Sequence, residues 1–130
     1  MADTPYVEGG QIKETITNAT VKIVSGWTTY EKINGKRILQ DPTVLHVYGG
    51  KIPGVNHPQV ETEGSPVVVT LHHNTGSSHV TVSGKGMICL GDYVDFTGTF
   101  LNTTADPPFT YTSAQHVQVI TAGQGDVTAT

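Results

Sequence analysis

Six histidines and a single cysteine are the side chains of this 130-residue chain best suited to bind a metal. Neutral imidazole is the commonest protein ligand for zinc, iron, copper and nickel, and a thiolate adds a soft donor. Three histidines lie between positions 72 and 79, but no two of the six form a His-x-His or a His-x₃-His pair. Because adjacent strand residues face opposite sides, His72 and His73 cannot both bind one ion within a regular strand. Two hypotheses follow: convergence of at least three histidines on a metal, or solvent-facing positions in strands and turns.

The rest of the sequence gives no indication of an enzyme. It contains no Gly-x-Ser-x-Gly elbow, no phosphate-binding P-loop and no Gly-x-Gly-x-x-Gly. Cys89 lies in the apolar run 87–90, which indicates a buried structural thiol rather than a nucleophile. Glu61 and Glu63 lie two residues apart, where a solvated pair of carboxylates is the default interpretation. We therefore predict a protein without catalytic residues.

Composition favours a β protein made in the cytoplasm. Charged residues are 14% of the chain, compared with about 25% in typical soluble domains, and β-branched Thr and Val take their place. The net charge of −4 argues against nucleic-acid binding. There is no apolar run of about 18 residues and no Sec signal, so we expect no stable membrane insertion. The lone Cys89 excludes an internal disulfide and fits synthesis in a reducing compartment.

Alternation of polar and apolar residues predicts short strands separated by tight turns. The expected strands are 12–17, 20–24, 44–48, 67–69, 79–82, 87–90, 93–96 and 116–120. Asn34-Gly35 and Ser83-Gly84 are turn signals, the first a strong cue for a two-residue hairpin. No window of about eleven residues keeps a helical period, so no helix is expected. We predict a single all-β domain over residues 1–122, with residues 123–130 as a loosely held C-terminal tail.

One pattern occurs twice in the chain. Each copy contains paired glycines, a β-like run, a polar-Gly-Lys turn, a short apolar stretch and an aspartate. These features fall at 9–10, 34–36 and Asp41 in the first copy, and at 49–50, 83–85 and Asp92 in the second. An offset of about 40 to 50 residues is typical of repeated supersecondary units. The pattern predicts a pseudo-symmetric β base built from two related halves.

The second copy and its surroundings resemble the PAAR-repeat proteins. Residues 41–50 read Asp-Pro-Thr-Val-Leu-His-Val-Tyr-Gly-Gly, similar to the family's opening, where Asp-Pro-Thr leads through a histidine into paired glycines. Residues 64–68 resemble its Gly-Ser-Pro-x-Val strand, and residues 83–92 resemble its turn, small-residue run and Gly-Asp. The resemblance covers Asp41 to about Phe96. Its turn positions are Gly49, Gly50, Gly64, Pro66, Gly84, Lys85, Gly91 and Asp92.

This resemblance implies a small, conical β fold that caps a trimeric spike. Such tips sharpen the piercing needle of phage tails and contractile injection systems, including the type VI secretion machine. The family also holds a metal ion near its apex through histidines and a cysteine, which implies a structural zinc or iron ion here. The candidate ligands are His46 first, then His57, His73, His79 and Cys89. Two departures are that Val47 and Tyr48 separate His46 from the glycines, and that residues 86–90 replace Pro-Ala-Ala-Arg.

From these features we predict a non-enzymatic structural protein that caps a membrane-piercing spike. Its partner would be a trimeric β-helical spike protein or another phage particle protein, and the chain alone would be a monomer. It would be made in the cytoplasm and reside in a virion or injection particle. The alternatives are a capsid-decorating or baseplate β-sandwich, a small ligand-binding β module, and a metal-dependent enzyme on a small β-barrel. Metal content, oligomeric state and turnover separate them.

Overall fold

The computed structural model describes residues 4–74, 81–82 and 84–123. Every regular element within them is a β-strand, which confirms the predicted all-β class. No helix among these residues has the length and apolar character that crossing a membrane requires. The predicted ligand His79 and residues 124–130 of the predicted tail lie outside the described residues.

The described residues form eight strands. They are β1 Gln11–Glu14, β2 Thr20–Ile33, β3 Lys36–Tyr48, β4 Val67–Leu71, β5 Thr81–Val82, β6 Lys85–Gly86, β7 Tyr93–Asn102 and β8 Phe109–Thr121. One three-stranded antiparallel sheet has the order β1-β8-β7, and a second has the order β2-β3-β4. Strands β5 and β6 form a separate short hairpin.

Four strands extend well beyond the ranges that alternation predicts. The fully buried side chains of β8 are confined to Gln115, Val117 and Val119, yet its pairing with β7 continues to the Asn102–Phe109 pair. Alternation of polar and apolar residues indicates which side chains are buried, whereas a strand extends as far as its backbone hydrogen bonds do. Sequence alone therefore underestimates the lengths of these strands. The expected strand at 87–90 instead forms isolated bridges, from Met87 to Gln40 and from Cys89 to Pro5.

The inner faces of the two sheets share one hydrophobic cluster. Leu45 and Val47 of β3 and Val117 and Val119 of β8 are almost completely buried in it. Burial of each such side chain contributes about 1.5–3 kcal/mol to folding. A second cluster, Val7, Ile38, Met87 and Cys89, lies where the N-terminal segment meets β3.

Several turns depend on glycine conformations that other residues rarely adopt. Asn34 and Gly35 have φ of 51° and 77°, the left-handed pair that a type I′ hairpin needs. Among the turn positions of the resemblance, Gly49, Gly84 and Gly91 also have positive φ. Of the other five, Gly50 packs against Thr17, Gly64 lies in the turn between Thr62 and Ser65, Pro66 precedes β4, Lys85 begins β6 and Asp92 directly precedes β7.

The two copies of the repeated pattern share turns but not strand pairing. In both, a glycine with positive φ, Gly9 or Gly49, precedes a glycine packed too closely for a side chain, Gly10 or Gly50. The first pair leads into β1, which joins the sheet of β8. The second leads into a segment that has only a single bridge, from Lys51 to Pro58, before position 59. The described residues therefore do not form two equivalent halves.

A buried hydrogen-bond network lies beside the turn after β1. The carboxylate of Glu14, 1% exposed, accepts hydrogen bonds from the amides of Ile16, Thr17, Ala19 and His116 and from the Thr17 hydroxyl. Burial by itself raises the pKa of Glu14, but the hydrogen bonds outweigh it, and the pKa lies below its usual value. The network continues from Thr17 through two buried amide side chains, Gln115 and Gln59. It ties the β1–β2 turn to β8.

Candidate metal centre

His46, the ligand predicted first, lies on the outer face of β3. Its neighbours Leu45 and Val47 are fully buried, so alternation along the strand turns His46 away from the core. Its cross-strand neighbours are Lys22 on β2 and Val68 on β4. The structure does not bring His46 into the group of donors around Cys89.

His57 and His116 also have partners outside that group. The Nδ1 atom of His57 is hydrogen-bonded to the hydroxyl of Tyr111, and the two rings meet edge to face. The Nδ1 atom of His116 lies 2.6 Å from Oδ1 of Asp95 on the neighbouring strand, and its ring stacks on Tyr93. Of the predicted histidine ligands in the described residues, His73 alone lies close to Cys89.

His72 and His73 follow the end of β4 and face different surroundings. The side chain of His72 is 63% exposed, with Nδ1 2.8 Å from Oδ1 of Asp41. The side chain of His73 is 17% exposed, and its Nδ1 lies 3.0 and 2.9 Å from the two carboxylate oxygens of Asp92. The two histidines have different partners, but both lie beyond the end of β4, so the expectation for adjacent residues of a regular strand does not apply to them.

His73, Cys89 and Asp92 form the candidate metal centre. Their ligand atoms, an imidazole nitrogen, a thiol sulfur and a carboxylate oxygen, all lie within 4.8 Å of one another. Around a tetrahedral zinc ion with bonds of about 2.0–2.3 Å, ligand atoms lie about 3.3–3.8 Å apart. Small side-chain movements would therefore bring the three donors to bonding distance. No other group of at least three such residues meets this distance in the part of the chain that is described.

A tight turn brings Asp92 back over Cys89. The amide of Asp92 donates to the carbonyl of Cys89 at 3.1 Å, and Gly91 between them has φ of 90°. The amide of Cys89 donates in turn to Oδ2 of Asp92 at 2.7 Å. The amide of Asn74 donates to Oδ1 at 3.1 Å. Backbone amides thus fix a carboxylate that is fully buried.

Two polar side chains outside the donor group position His73. Oδ2 of Asp41 accepts a hydrogen bond from the His73 amide at 3.1 Å. The side chain of the next residue, Asn74, donates to the carbonyl of Tyr93 at 2.5 Å and accepts from the Tyr93 amide at 3.1 Å. These two bonds have the same pattern as those between paired residues of neighbouring strands. Residues 72–74 are therefore held between β3 and the start of β7. The aspartates of both copies of the repeated pattern meet at His73.

Cys89 is 1% exposed and packs with Val7, Ile38 and Met87. This agrees with the buried thiol that its apolar surroundings predict. The thiol is not in a disulfide, and its sulfur lies 3.6 Å from the carbonyl of Met87. Metal binding would require loss of the thiol proton.

The arrangement has two chemical interpretations. Imidazole, thiolate and carboxylate together fit zinc or ferrous iron, and the near-complete burial leaves little access for a substrate. The same contacts also form a hydrogen-bonded group around Asp92, in which no ion is needed to satisfy the carboxylate. In the first interpretation a divalent metal binds here and stabilises the folded protein, whereas in the second it has no site here.

Asp92 is the candidate ligand that sequence reasoning assigned only to a turn. The available signal was its spacing from Cys89, because Cys-x-x-Asp around a glycine has the same spacing as many paired zinc ligands on turns. The contributions of Asp41 and Asn74 had no local signal, since each reaches its partner from a distant part of the chain.

Comparisons with known proteins assign no family to the chain: no protein-family model, no curated protein and no solved structure matches it.

Proposed function

We propose that this chain is a non-enzymatic structural protein that holds one metal ion and caps a trimeric spike of a phage tail or contractile injection system. The observation that carries the metal is the convergence of His73, Cys89 and Asp92, three different donors within 4.8 Å. The role at a spike rests on the sequence resemblance. The metal would be zinc or iron, as the donor set suggests.

Burial supports a structural ion over a catalytic one. Asp92 is fully buried, Cys89 is 1% exposed and the side chain of His73 is 17% exposed. A catalytic zinc ion keeps one position open to water or substrate, whereas a structural ion is enclosed by protein ligands. With three donors from described residues, a fourth ligand is needed, and His79 is the candidate that remains from the predicted pool.

The ion would connect three separate parts of the chain at one point. His73 follows β4 of one sheet, whereas Asp92 directly precedes β7 of the other. Cys89 bridges to Pro5 in the N-terminal segment. A metal bound to all three would link the two sheets and the N-terminal segment at one point, and its binding energy would add to folding stability.

Contacts of the resembling motifs support the assignment to a spike tip. Asp41, which opens the Asp-Pro-Thr motif, binds the amide of His73, and Asp92, which ends the Gly-Asp motif, binds its ring. Two motifs far apart in sequence thus meet at one candidate ligand. A cross-linked β domain would also suit a protein that is pushed against a membrane.

Metal analysis of protein purified without a polyhistidine tag tests the metal role. We expect a stoichiometric zinc or iron ion in the wild type and its loss in Cys89→Ala and in Asp92→Asn. The matched controls are His72→Ala and His46→Ala, which remove neighbouring or predicted histidines outside the group and should retain the ion. Loss of the ion in His79→Ala would identify the fourth ligand. No ion after reconstitution with zinc and ferrous iron under reducing conditions would refute the metal role.

Electron microscopy of the native particle tests the position at the spike. We expect one copy per spike trimer, at the apex of the needle. Multiple copies on a capsid or baseplate would exclude the tip and favour the decorating alternative. That result would leave the metal measurement unaffected, so the two parts of the proposal can fail separately.

A further inference from the structure

The buried network beside the turn after β1 places a hydroxyl, a carboxylate and a primary amide side by side. The Thr17 hydroxyl donates to Oε2 of Glu14 at 2.7 Å, and Oγ1 of Thr17 accepts from Nε2 of Gln115 at 3.0 Å. The three residues are between 0% and 3% exposed. A hydroxyl bonded to a carboxylate is the arrangement of a nucleophile with its general base, and a side-chain amide is an acyl group. All the groups that an acyl transfer needs are therefore in contact.

A backbone amide determines which end of the Gln115 side chain faces Thr17. The amide of Gly50 donates to Oε1 of Gln59 at 2.8 Å, so Nε2 of Gln59 is the atom directed at Gln115. This Nε2 donates to Oε1 of Gln115 at 3.0 Å. A donor on the carbonyl oxygen polarises the amide, and it would stabilise the negative charge that forms on this oxygen when a nucleophile attacks the carbon.

Two glycines leave space at the groups that would react. A side chain at Gly50 would collide with Oγ1 of Thr17, and a side chain at Gly98 would collide with Oε1 of Gln115. Neither glycine has a positive φ. What each position requires is therefore the absence of a side chain, rather than an unusual backbone conformation.

We propose that Thr17 and Gln115 become joined by an ester bond that the folded chain forms by itself. Glu14 takes the proton of the Thr17 hydroxyl, and Oγ1 attacks Cδ of Gln115 after the amide has rotated to turn its face to Oγ1. Glu14 then gives the proton to Nε2 of Gln115, the Cδ–Nε2 bond breaks and ammonia leaves. The Oγ1–Cδ bond replaces the Cδ–Nε2 bond, nothing is oxidised or reduced, and Glu14 is again a carboxylate.

Burial favours this reaction over hydrolysis. Gln115 is fully buried and Gln59 is 8% exposed, so little water can compete with Thr17 for the amide or attack the ester afterwards. Ammonia is small enough to escape and is protonated in neutral water, which opposes the reverse reaction. The reaction occurs once in each molecule and needs no substrate or cofactor.

The ester would connect distant parts of the chain. Thr17 lies between β1 and β2, and Gln115 lies in β8, 98 positions further along the sequence. A covalent link over such a distance constrains the unfolded chain, as a disulfide does. A chain with one cysteine cannot form an internal disulfide. This inference depends neither on the metal nor on the position at a spike.

Mass spectrometry of the full-length protein tests the inference. After purification and about one day at neutral pH, the wild type should be about 17 Da lighter than the mass calculated for its sequence, with or without Met1, because it has lost one ammonia. Trypsin should release residues 14–22 joined to residues 86–130, since no lysine or arginine lies within either stretch before its end. Hydroxylamine, which cleaves esters and spares amides, should separate the two peptides.

Substitutions assign the roles of the individual groups. Thr17→Val and Gln115→Leu should keep the calculated mass, whereas Thr17→Ser retains a hydroxyl and should still lose ammonia. Glu14→Gln should slow the reaction about 100-fold or more, as loss of a general base does. The matched control is Gln118→Leu, which removes another glutamine of β8 and should react like the wild type. Circular dichroism verifies that each variant is folded.

Three results would overturn the proposal. The first is a wild type with its full calculated mass. The second is a loss of ammonia within a single peptide, which would be a local ring closure and not a cross-link. The third is a joined peptide pair that persists in Thr17→Val. The wild-type peptides and Thr17→Ser decide the question even where Thr17→Val fails to fold.

Discussion

Two fully buried carboxylates, Glu14 and Asp92, lie in different parts of this molecule and are satisfied in different ways. Glu14 accepts all its hydrogen bonds from neutral backbone amides and one threonine hydroxyl. Within the described residues, Asp92 accepts hydrogen bonds from the backbone amides of Asn74 and Cys89, and both of its oxygens contact the ring of His73, beside the thiol of Cys89. Both are negative groups within a protein core, but their neighbours differ in chemistry.

The difference determines what each site can do. A carboxylate surrounded by amide donors has no lone pairs to spare for a cation, and its donors cannot leave without breaking backbone structure. A carboxylate bonded to imidazole and lying beside a thiol has neighbours that can exchange a proton for a metal. We therefore regard Glu14 as a fixed structural group and Asp92 as a candidate ligand.

The largest expected effect is on stability when Glu14 is replaced. Glu14→Ala leaves several buried amides without an acceptor and should lower the free energy of unfolding by about 3–5 kcal/mol. Urea denaturation at neutral pH measures this. The exposed Glu63→Ala serves as a control and should change stability little. A small decrease in the free energy of unfolding for Glu14→Ala would contradict this and would mean that water accepts these hydrogen bonds in place of the carboxylate.

The second-largest expected effect is stabilisation by zinc, which should depend on Asp92 and not on Glu14. Zinc at about 100 times its dissociation constant should stabilise the wild type by about 2.7 kcal/mol, because it binds the folded state. The response should vanish in Cys89→Ala and in Asp92→Asn but persist in Glu14→Gln. Thermal unfolding with and without zinc, and with a chelator, checks this. An equal response in all four proteins would place the metal elsewhere.

A smaller effect is expected from Gly98 on β7, beside the Glu14 network. A side chain at Gly98 would collide with the buried amide groups of Gln115 and Gln59, so Gly98→Ala should cost about 1–3 kcal/mol. Gly64→Ala, where a side chain meets open space, is the matched control. Zinc binding should be unchanged in Gly98→Ala. Denaturation and metal titration of both variants would detect any coupling between the two sites.

The smallest expected effect is on how the free energy of unfolding changes as the pH is lowered. The pKa of Glu14 is below the usual 4.5, since its hydrogen bonds outweigh the effect of burial. The stability that it contributes is present above this usual value and is lost as pH falls through the lower folded pKa. The difference in unfolding free energy between wild type and Glu14→Gln should therefore shrink between about pH 6 and pH 3. Parallel profiles for the two proteins would contradict the lowered pKa.

The fold class could be predicted from sequence because the signals for strands and turns are local. The alternation around Leu45 and Val47 marks β3, and Asn34-Gly35 marks its hairpin. The alternation also contained information on His46 that the motif-based assignment did not use: a residue between two buried neighbours faces outward. The candidate centre could be predicted only in part, as His73 and Cys89, because Asp92 was assigned to a turn.

The sequence by itself determined that the chain is built of strands and that its one thiol is buried. These properties depend on neighbouring residues and on the two-residue period of a strand. The tertiary structure decided which donors meet and how Glu14 and Asp92 are satisfied. Such contacts join residues far apart in the chain, as Asp41 joins His73, and no local pattern encodes them.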